Sequence, residues 1–282
     1  MKKNNLVIAF VARLLMSSTF FVGTCSMAAE FSWINGEVEG PSLVINGEIK
    51  NGDYLRVLGH IADDGNRGGR FLLGGRKVIV TSQGGSVNDA IEIGKLFRDI
   101  HAHVVAVIQC SSACFFLLAG ATQRGMVAEI GLHNPYVGQE VAAGMSVKPL
   151  ESALKAAETK TRQVLQDFGV PNHLISQMLS HTSAEVYLPT LQDYVEFGQY
   201  SSEWNQVRVS KCDADSTYER YTYRKGLLVS GGESPPQSRS EMDAYIRYKK
   251  MIQKCENSLV GQDALRAALS HMKRNPEYLK IR

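Results

Sequence analysis

Three short segments of this 282-residue chain carry the groups best suited to chemistry. Gly84-Gly85-Ser86 follows an apolar run at residues 78–81, and a diglycine turn of this kind can expose backbone N–H groups to an anion. Ser112 follows a second apolar run at residues 104–108, and His133 comes about 20 residues later. A neutral histidine can take the proton of a serine near pH 7. Together the segments indicate acyl transfer, with the Ala113 amide as one stabilising donor.

Each segment also has a simpler interpretation. The diglycine turn could be a strand-to-helix connection capped by Ser86, Ser112 could be a helix N-cap, and His133 could be a hydrogen-bonded structural residue. Ser111 competes with Ser112 as the nucleophile. We favour Ser112 because the amide of the residue after it belongs to the first helical turn. The ordered set is a stronger indication than any one of its members.

The elements that must position these residues alternate between strand and helix. Apolar runs predict strands at residues 43–45, 78–80 and 104–108, and helical spacing predicts helices at residues 53–61, 87–100 and 112–120, with a glycine-rich loop at residues 65–75. Strands separated by helices of this length imply right-handed crossovers and a mostly parallel sheet. The expected fold class is therefore α/β.

The rest of the chain predicts helices at residues 150–168 and 172–179, and a change of character near residues 200–204. Beyond this loop we expect a strand-like segment at residues 208–228, a turn at 230–239, and two helices at 241–259 and 263–273. The predicted organisation is a main domain at residues 29–200 and a mainly helical C-terminal appendage at residues 201–282, which could cover the site.

Residues 1–28 have the composition of a signal peptide. Lys2 and Lys3 precede an apolar stretch, and Ser26-Met27-Ala28 offers a small-residue cleavage site. We therefore expect a secreted or periplasmic protein; an uncleaved anchor is the alternative, and Thr24 disfavours lipidation of Cys25. The longest later apolar run, residues 114–121, is far short of the roughly 20 residues of a spanning helix, so no membrane span is expected after signal removal.

The basic character of the chain belongs to this leader. It holds three of the 31 basic residues and none of the 28 acidic ones, so the remaining chain has no formal net charge. A nucleic-acid or anionic-membrane partner is therefore not expected.

Four cysteines follow the leader in two pairs, Cys110 with Cys114 and Cys212 with Cys255. In an oxidising compartment both pairs are possible disulfides. For the first pair, two small buried hydrophobic side chains are an equal alternative. Neither the cysteine spacing nor the histidines predict a metal site.

Residues 82–87, 110–114 with 116–121, and His133-Asn134-Pro135 resemble the Clp-protease and crotonase superfamily, and within it the exported Clp-like proteins of bacteria. Residues 195–198 match more weakly, and the resemblance covers about residues 40–200. It implies a spiral of βαβ units, Ser112 as nucleophile, His133 as general base, and Gly85 with Ala113 as oxyanion-hole amides. It also implies a peptide or protein substrate, no cofactor, and a possible homo-oligomer formed through the helix at residues 150–168.

Two positions depart from the family's pattern. Gln83 stands where the Clp proteases have proline before the diglycine, which the backbone amides should tolerate. The family's aspartate falls near residues 180–182, where there is no carboxylate, and the role cannot be carried onto Glu185 or Asp193. The sequence therefore predicts an exported serine hydrolase with a Ser-His dyad or triad. A catalytically silent binding or assembly module, and a thioester enzyme that does not need Ser112, are the alternatives.

Overall fold

The computed structural model describes residues 28–36, 40–66, 68–136, 144–215, 218–219 and 238–281. The predicted signal peptide, apart from Ala28, lies outside these residues, as do most of the predicted turn at 230–239 and the predicted strand-like segment beyond residue 219. Among the described residues, no helix is both long enough and apolar enough to cross a membrane.

The centre of the fold is one mixed β-sheet. Its strands are β1 Glu30–Gly36, β2 Gly40–Asn46, β3 Lys77–Ser82, β4 His103–Ser111, β5 Gln123–Met126 and β6 Glu129–Gly131. The strand order is β1-β2-β3-β4-β5. The strand β6 pairs with the last part of β4, after the part of β4 that pairs with β5. The β1–β2 pair is antiparallel and the other pairs are parallel. The parallel strands bring the carboxyl ends of β2, β3 and β4 to one edge of the sheet.

The helices in the described ranges are α1 Asp53–Asn66, α2 Arg70–Leu73, α3 Val87–Asp99, α4 Cys114–Gly120, α5 Val147–Asp167, α6 Asn172–Ser180, α7 Leu191–Phe197, α8 Ser202–Cys212 and α9 Arg239–Arg274, followed by a 3₁₀ turn at Pro276–Lys280. The expected α/β class and the helical C-terminal region are confirmed. Alternate residues of the central strands, such as Leu43, Val78 and Val104, are fully buried, and helices α1, α3 and α4 contribute to the same core.

Four expectations about local structure are wrong. The predicted loop at 65–75 contains α2, because Phe71 and Leu72 are buried in the core. The predicted loop at 200–204 contains the start of α8, and residues 208–212 are helical where a strand was expected. The two predicted C-terminal helices are one, since α9 continues through Gly261, which packs against Leu73.

The C-terminal helix α9 is packed onto the core. Ala264 and Ala268 are fully buried in the main hydrophobic cluster. His271 bridges two core helices, with Nδ1 2.8 Å from the Tyr54 hydroxyl on α1 and Nε2 2.8 Å from the Asp99 carboxylate on α3. Contacts of this kind hold the helical C-terminal region against the helices that flank the sheet.

The sulfur atoms of both cysteine pairs lie at bonding distance. The Cys212–Cys255 pair joins α8 to α9, with 5.8 Å between the Cα atoms. Near it, the buried Arg208 guanidinium binds the carboxylates of Glu219 and Glu256. The Cys110–Cys114 pair joins the end of β4 to the start of α4, with 5.2 Å between the Cα atoms.

Candidate active site

Strand β4 reaches the site through an irregularity. Val80 of β3 pairs with Ala106, but the next paired residue, Ser82, faces Cys110, so β4 holds two extra residues over this stretch. Ile108 lies in it with a φ of 63° and is 80% exposed. A β-branched residue is rarely found in the left-handed region, and a bulge of this kind turns the strand and re-aims the residues after it. Ser111 and Ser112 are among the residues that it re-aims.

The diglycine turn is held by the segment after β2. The Ile49 N–H donates to the Gly84 carbonyl oxygen at 2.8 Å, and the Ser86 N–H donates to the Ile49 carbonyl oxygen at 2.7 Å. Gly84 and Gly85 have φ values of 110° and 128°, which only glycine adopts readily, and a Cβ on Gly85 would overlap the Ile49 carbonyl oxygen. Within the described chain, the Gly85 N–H donates to no backbone carbonyl.

The turn that carries Ser112 lies directly against the diglycine turn. A Cβ built on Gly84 would be 2.6 Å from the Ser112 Cβ and 3.0 Å from the Ala113 nitrogen. Ser112 has a φ of 55°, and its N–H donates to the Gly131 carbonyl oxygen at 2.8 Å. The Ala113 N–H finds no backbone acceptor in the described ranges. Two amides without backbone acceptors, those of Gly85 and Ala113, therefore belong to two turns in contact.

The two adjacent serines have different neighbours. The Ser111 hydroxyl accepts a hydrogen bond from the Gln109 side-chain amide at 3.3 Å, and a Cβ on Gly131 would lie 2.7 Å from it. Ser112 instead lies beside Gly84 and the Ala113 amide. Of these two serines, Ser112 is the one whose side-chain Cβ contacts the diglycine turn, while Ser111 contacts it through its backbone carbonyl oxygen.

His133 reaches the same edge of the sheet through β6. Gly131 pairs with Ser111 in the parallel β4–β6 ladder, and His133 lies two residues further on, about 7 Å along an extended chain. The side chain is largely buried, with 7% exposure. The described residues show no hydrogen bond between His133 and Ser112.

A backbone carbonyl orients the His133 ring. Its Nδ1 lies 2.9 Å from the Asn134 carbonyl oxygen. Because a carbonyl oxygen can only accept, Nδ1 must carry the proton of this hydrogen bond. The neutral ring then keeps the lone pair of Nε2 for a proton from elsewhere.

The segment after α6 fixes the backbone on either side of His133. Leu132 and Tyr187 exchange both backbone hydrogen bonds, at 2.9 and 2.8 Å. The Asn134 N–H donates to the His181 carbonyl oxygen at 2.7 Å. The region expected to supply the third catalytic residue therefore does lie beside His133. It contributes a backbone carbonyl there, while the His181 ring binds the Gln177 carbonyl oxygen at 2.7 Å.

Neither nearby carboxylate is bonded to His133. One Asp193 oxygen accepts from the Tyr187 hydroxyl at 2.7 Å and from the Thr190 backbone at 2.7 Å, and the other lies 2.9 Å from the His173 Nε2. Asp193 thus forms the capping box of α7. Glu185 is exposed and lies in a turn.

The capping role of Asp193 makes a testable prediction. Burial acts to raise the pKa of Asp193, but hydrogen bonds from Tyr187, Thr190 and His173 outweigh it and lower the pKa to about 2. A depressed carboxyl pKa stabilises the fold above the ordinary value near 4, and this contribution is lost as the pH falls towards 2. Asp193→Asn should lower the free energy of unfolding by about 1–2 kcal/mol at pH 7, measured by urea denaturation.

The matched control is Glu196→Gln, because Glu196 also faces His173 but at 3.5 Å and half exposed. It should change stability by less than about 0.5 kcal/mol. The deficit of Asp193→Asn should shrink between pH 4 and pH 2. An equal deficit in both variants would contradict the assignment of the capping box as the source of this stability.

Sequence reasoning missed the residues that hold the site through their backbones. The Asn134 carbonyl, the Ile49 peptide and the Gly131 carbonyl have no side-chain signature by which to find them. Gly131, two positions before His133, is one available signal, since a Cβ there would lie 2.7 Å from the Ser111 hydroxyl oxygen and 2.9 Å from the Val186 side chain.

No protein-family model matches the sequence, and no curated protein matches it. Among solved structures, the chain is similar to a mutant of ClpP1 from Listeria monocytogenes, with 16% identity, a TM-score of 0.41, and coverage of 56% of this chain and 88% of that one. It is also similar to a mutant of the membrane-bound stomatin-specific protease 1510-N, with 12% identity, a TM-score of 0.38, and coverage of 61% and 84%.

Proposed function

We propose that the chain is an exported serine hydrolase of the Clp-protease type that cleaves peptide bonds, with Ser112 as nucleophile and His133 as general base. One observation carries the proposal. The Ser112 turn and the diglycine turn are in contact, and the Gly85 and Ala113 amides that they present have no backbone acceptor among the described residues. Amide donors of this kind, fixed beside a hydroxyl, are what a developing oxyanion requires.

The reaction depends on the protonation state of His133. Nε2 takes the proton of the Ser112 hydroxyl as Oγ attacks the carbonyl carbon of the substrate. The carbonyl oxygen becomes an oxyanion, and the Gly85 and Ala113 N–H groups donate to it. His133 then gives its proton to the leaving nitrogen as the C–N bond breaks, and the acyl-serine ester is hydrolysed by a water that His133 deprotonates.

The Asn134 carbonyl takes the orienting part that an aspartate has in a triad. It accepts the Nδ1 proton and so fixes the tautomer. A neutral carbonyl stabilises the imidazolium less than a carboxylate does, so turnover is expected to be slower than in a full triad. In a full triad, a change that leaves the histidine in the wrong tautomer lowers turnover about 10⁴-fold.

The leader and the cysteines support export. Residues 1–28 have signal-peptide character, and two cysteine pairs at disulfide distance suit an oxidising compartment. We extend the proposal to a Clp-type domain at residues 29–200 with residues 201–282 as its appendage, and to self-association through α5, whose first half is largely exposed.

The test is labelling of the purified chain by a fluorophosphonate, followed by mass spectrometry of the modified peptide. We expect a single adduct on Ser112. His133→Ala should lower the labelling rate by about 10²–10⁴-fold, because the serine loses its base. The matched control is His181→Ala in the neighbouring segment, which should label at close to the rate of the unmodified chain.

A second candidate function has its own support. The described part of the chain shows neither a carboxylate bonded to His133 nor a hydrogen bond from His133 to Ser112, as expected of a catalytically silent binding module. Absence of labelling under both oxidising and reducing conditions would favour this module and exclude the hydrolase.

A further inference from the structure

The Cys110–Cys114 pair spans the proposed nucleophile turn. Cys110 lies in the last part of β4 and Cys114 is the first residue of α4, so the pair closes over Ser111, Ser112 and Ala113 alone. Two of these three residues supply groups to the proposed reaction, the Ser112 hydroxyl and the Ala113 amide. A constraint on this segment therefore acts on the nucleophile and on one oxyanion donor together.

Both ends of the bridge are fixed in the core. Cys110 is paired on one side with Ser82 of β3 and on the other with Ile130 of β6. Cys110 and Cys114 are both 0% exposed. The bridge thus ties the turn to two neighbouring strands and to the buried helix α4.

The turn needs such a constraint. Ser112 has a φ of 55°. This conformation is unfavourable for any residue that has a Cβ, and it persists only where the surroundings impose it. Past the end of β4, the Ser112 N–H donates to the Gly131 carbonyl oxygen, and the Ala113 N–H has no backbone acceptor among the described residues. The Ser112 side chain makes no hydrogen bond within the described residues that could hold it.

We propose that the Cys110–Cys114 disulfide is a positioning element of the site, which holds Ser112 in its left-handed conformation and keeps the Ala113 amide aimed at the oxyanion. This inference rests on the proposed function. It assigns the bridge an effect on the rate of acylation that is separate from its effect on folding.

The second bridge offers a matched control. Cys110→Ala/Cys114→Ala removes the proposed positioning element, and Cys212→Ala/Cys255→Ala removes the bridge between α8 and α9. Saturation kinetics with a fluorophosphonate separate the maximal labelling rate from the concentration of probe that gives half of it. We expect the first variant to lose about 10- to 100-fold in the maximal rate with little change in half-saturation, because small displacements of reacting groups cost this much. The second variant should keep its rate.

Reduction gives a test without substitution at the site. A dithiol added to Cys212→Ala/Cys255→Ala passes two electrons to the remaining sulfur–sulfur bond and is itself closed to a disulfide. Because Cys110 and Cys114 are buried, alkylation of the two freed thiols after denaturation is used to show that the bond has been broken. The maximal labelling rate should fall as in the first variant. Hydrogen exchange of the Ser112 amide should also become faster, while exchange of the strand amides stays the same. A general loss of folding would instead speed up exchange in the strands as well.

The outcomes separate this inference from the proposed function. If the unmodified chain is labelled and Cys110→Ala/Cys114→Ala is labelled at the same maximal rate, the positioning role is wrong and the hydrolase stands. If the unmodified chain is not labelled, the hydrolase is wrong. Unchanged exchange of the Ser112 amide after reduction would overturn the positioning role in either case.

Discussion

Replacing Ser112 with alanine is expected to lower fluorophosphonate labelling and any hydrolase activity by at least about 10⁴-fold, because the variant lacks the hydroxyl that we propose forms the covalent bond. The fold should be nearly unaffected. The Ser112 hydroxyl makes no hydrogen bond in the described structure. The backbone N–H of residue 112 keeps its hydrogen bond to the Gly131 carbonyl oxygen in the variant. We expect the free energy of unfolding to change by less than about 0.5 kcal/mol.

Ser111→Ala is the matched control, since it removes a hydroxyl one residue away. Ser111 loses only the hydrogen bond from Gln109, and labelling should fall by less than about threefold. The opposite result, labelling lost with Ser111→Ala and kept with Ser112→Ala, would place the nucleophile one position earlier.

Replacing Gly84 with alanine is expected to damage both stability and activity. The new Cβ would be 2.6 Å from the Ser112 Cβ and 2.8 Å from the Ser111 carbonyl oxygen, and Gly84 has a φ of 110°. The overlap is with backbone and Cβ atoms, so the two turns must move apart. We expect a loss of about 3–4 kcal/mol in unfolding free energy and about 10²-fold or more in labelling rate.

Gly52→Ala is the control that distinguishes backbone strain at a positive φ from steric overlap of the new Cβ. Gly52 has a φ of 93°, but a Cβ there would have nothing within 4 Å. This variant should lose about 1–2 kcal/mol of stability and keep its labelling rate. If Gly84→Ala behaves like Gly52→Ala in both measurements, contact between the two turns does not matter for the reaction.

The sequence predicts the central strands well because each contains a short apolar run in which most residues are β-branched. It does not predict β5 and β6, which have four and three residues and include Gln123, Arg124 and Glu129. These segments are strands because β4 offers them hydrogen-bonding positions, a tertiary effect that local preference does not report. The helix α2 was missed for a similar reason, since burial of Phe71 outweighs the glycines around it.

For the site, the sequence indicates which side chains could take part in the reaction. It does not indicate the backbone groups that orient these side chains. Glycines, serines and a histidine can be found by pattern, and the structure brings the diglycine turn, Ser112 and the His133 segment to one edge of the sheet. The bulge at Ile108 and the Ser112 conformation depend on pairing with β3 and β6. The catalytic roles of Ser112 and His133 stay predictions.

Orientation of His133 by the Asn134 carbonyl has a consequence for mutagenesis. Every side-chain substitution at residue 134 leaves the carbonyl in place, so an alanine scan of a working site would find two essential side chains and no third. Removing this acceptor needs a change in the main chain itself, such as a thioamide at residue 134. The same property frees position 134 to vary, provided that the main chain keeps its hydrogen bond to residue 181.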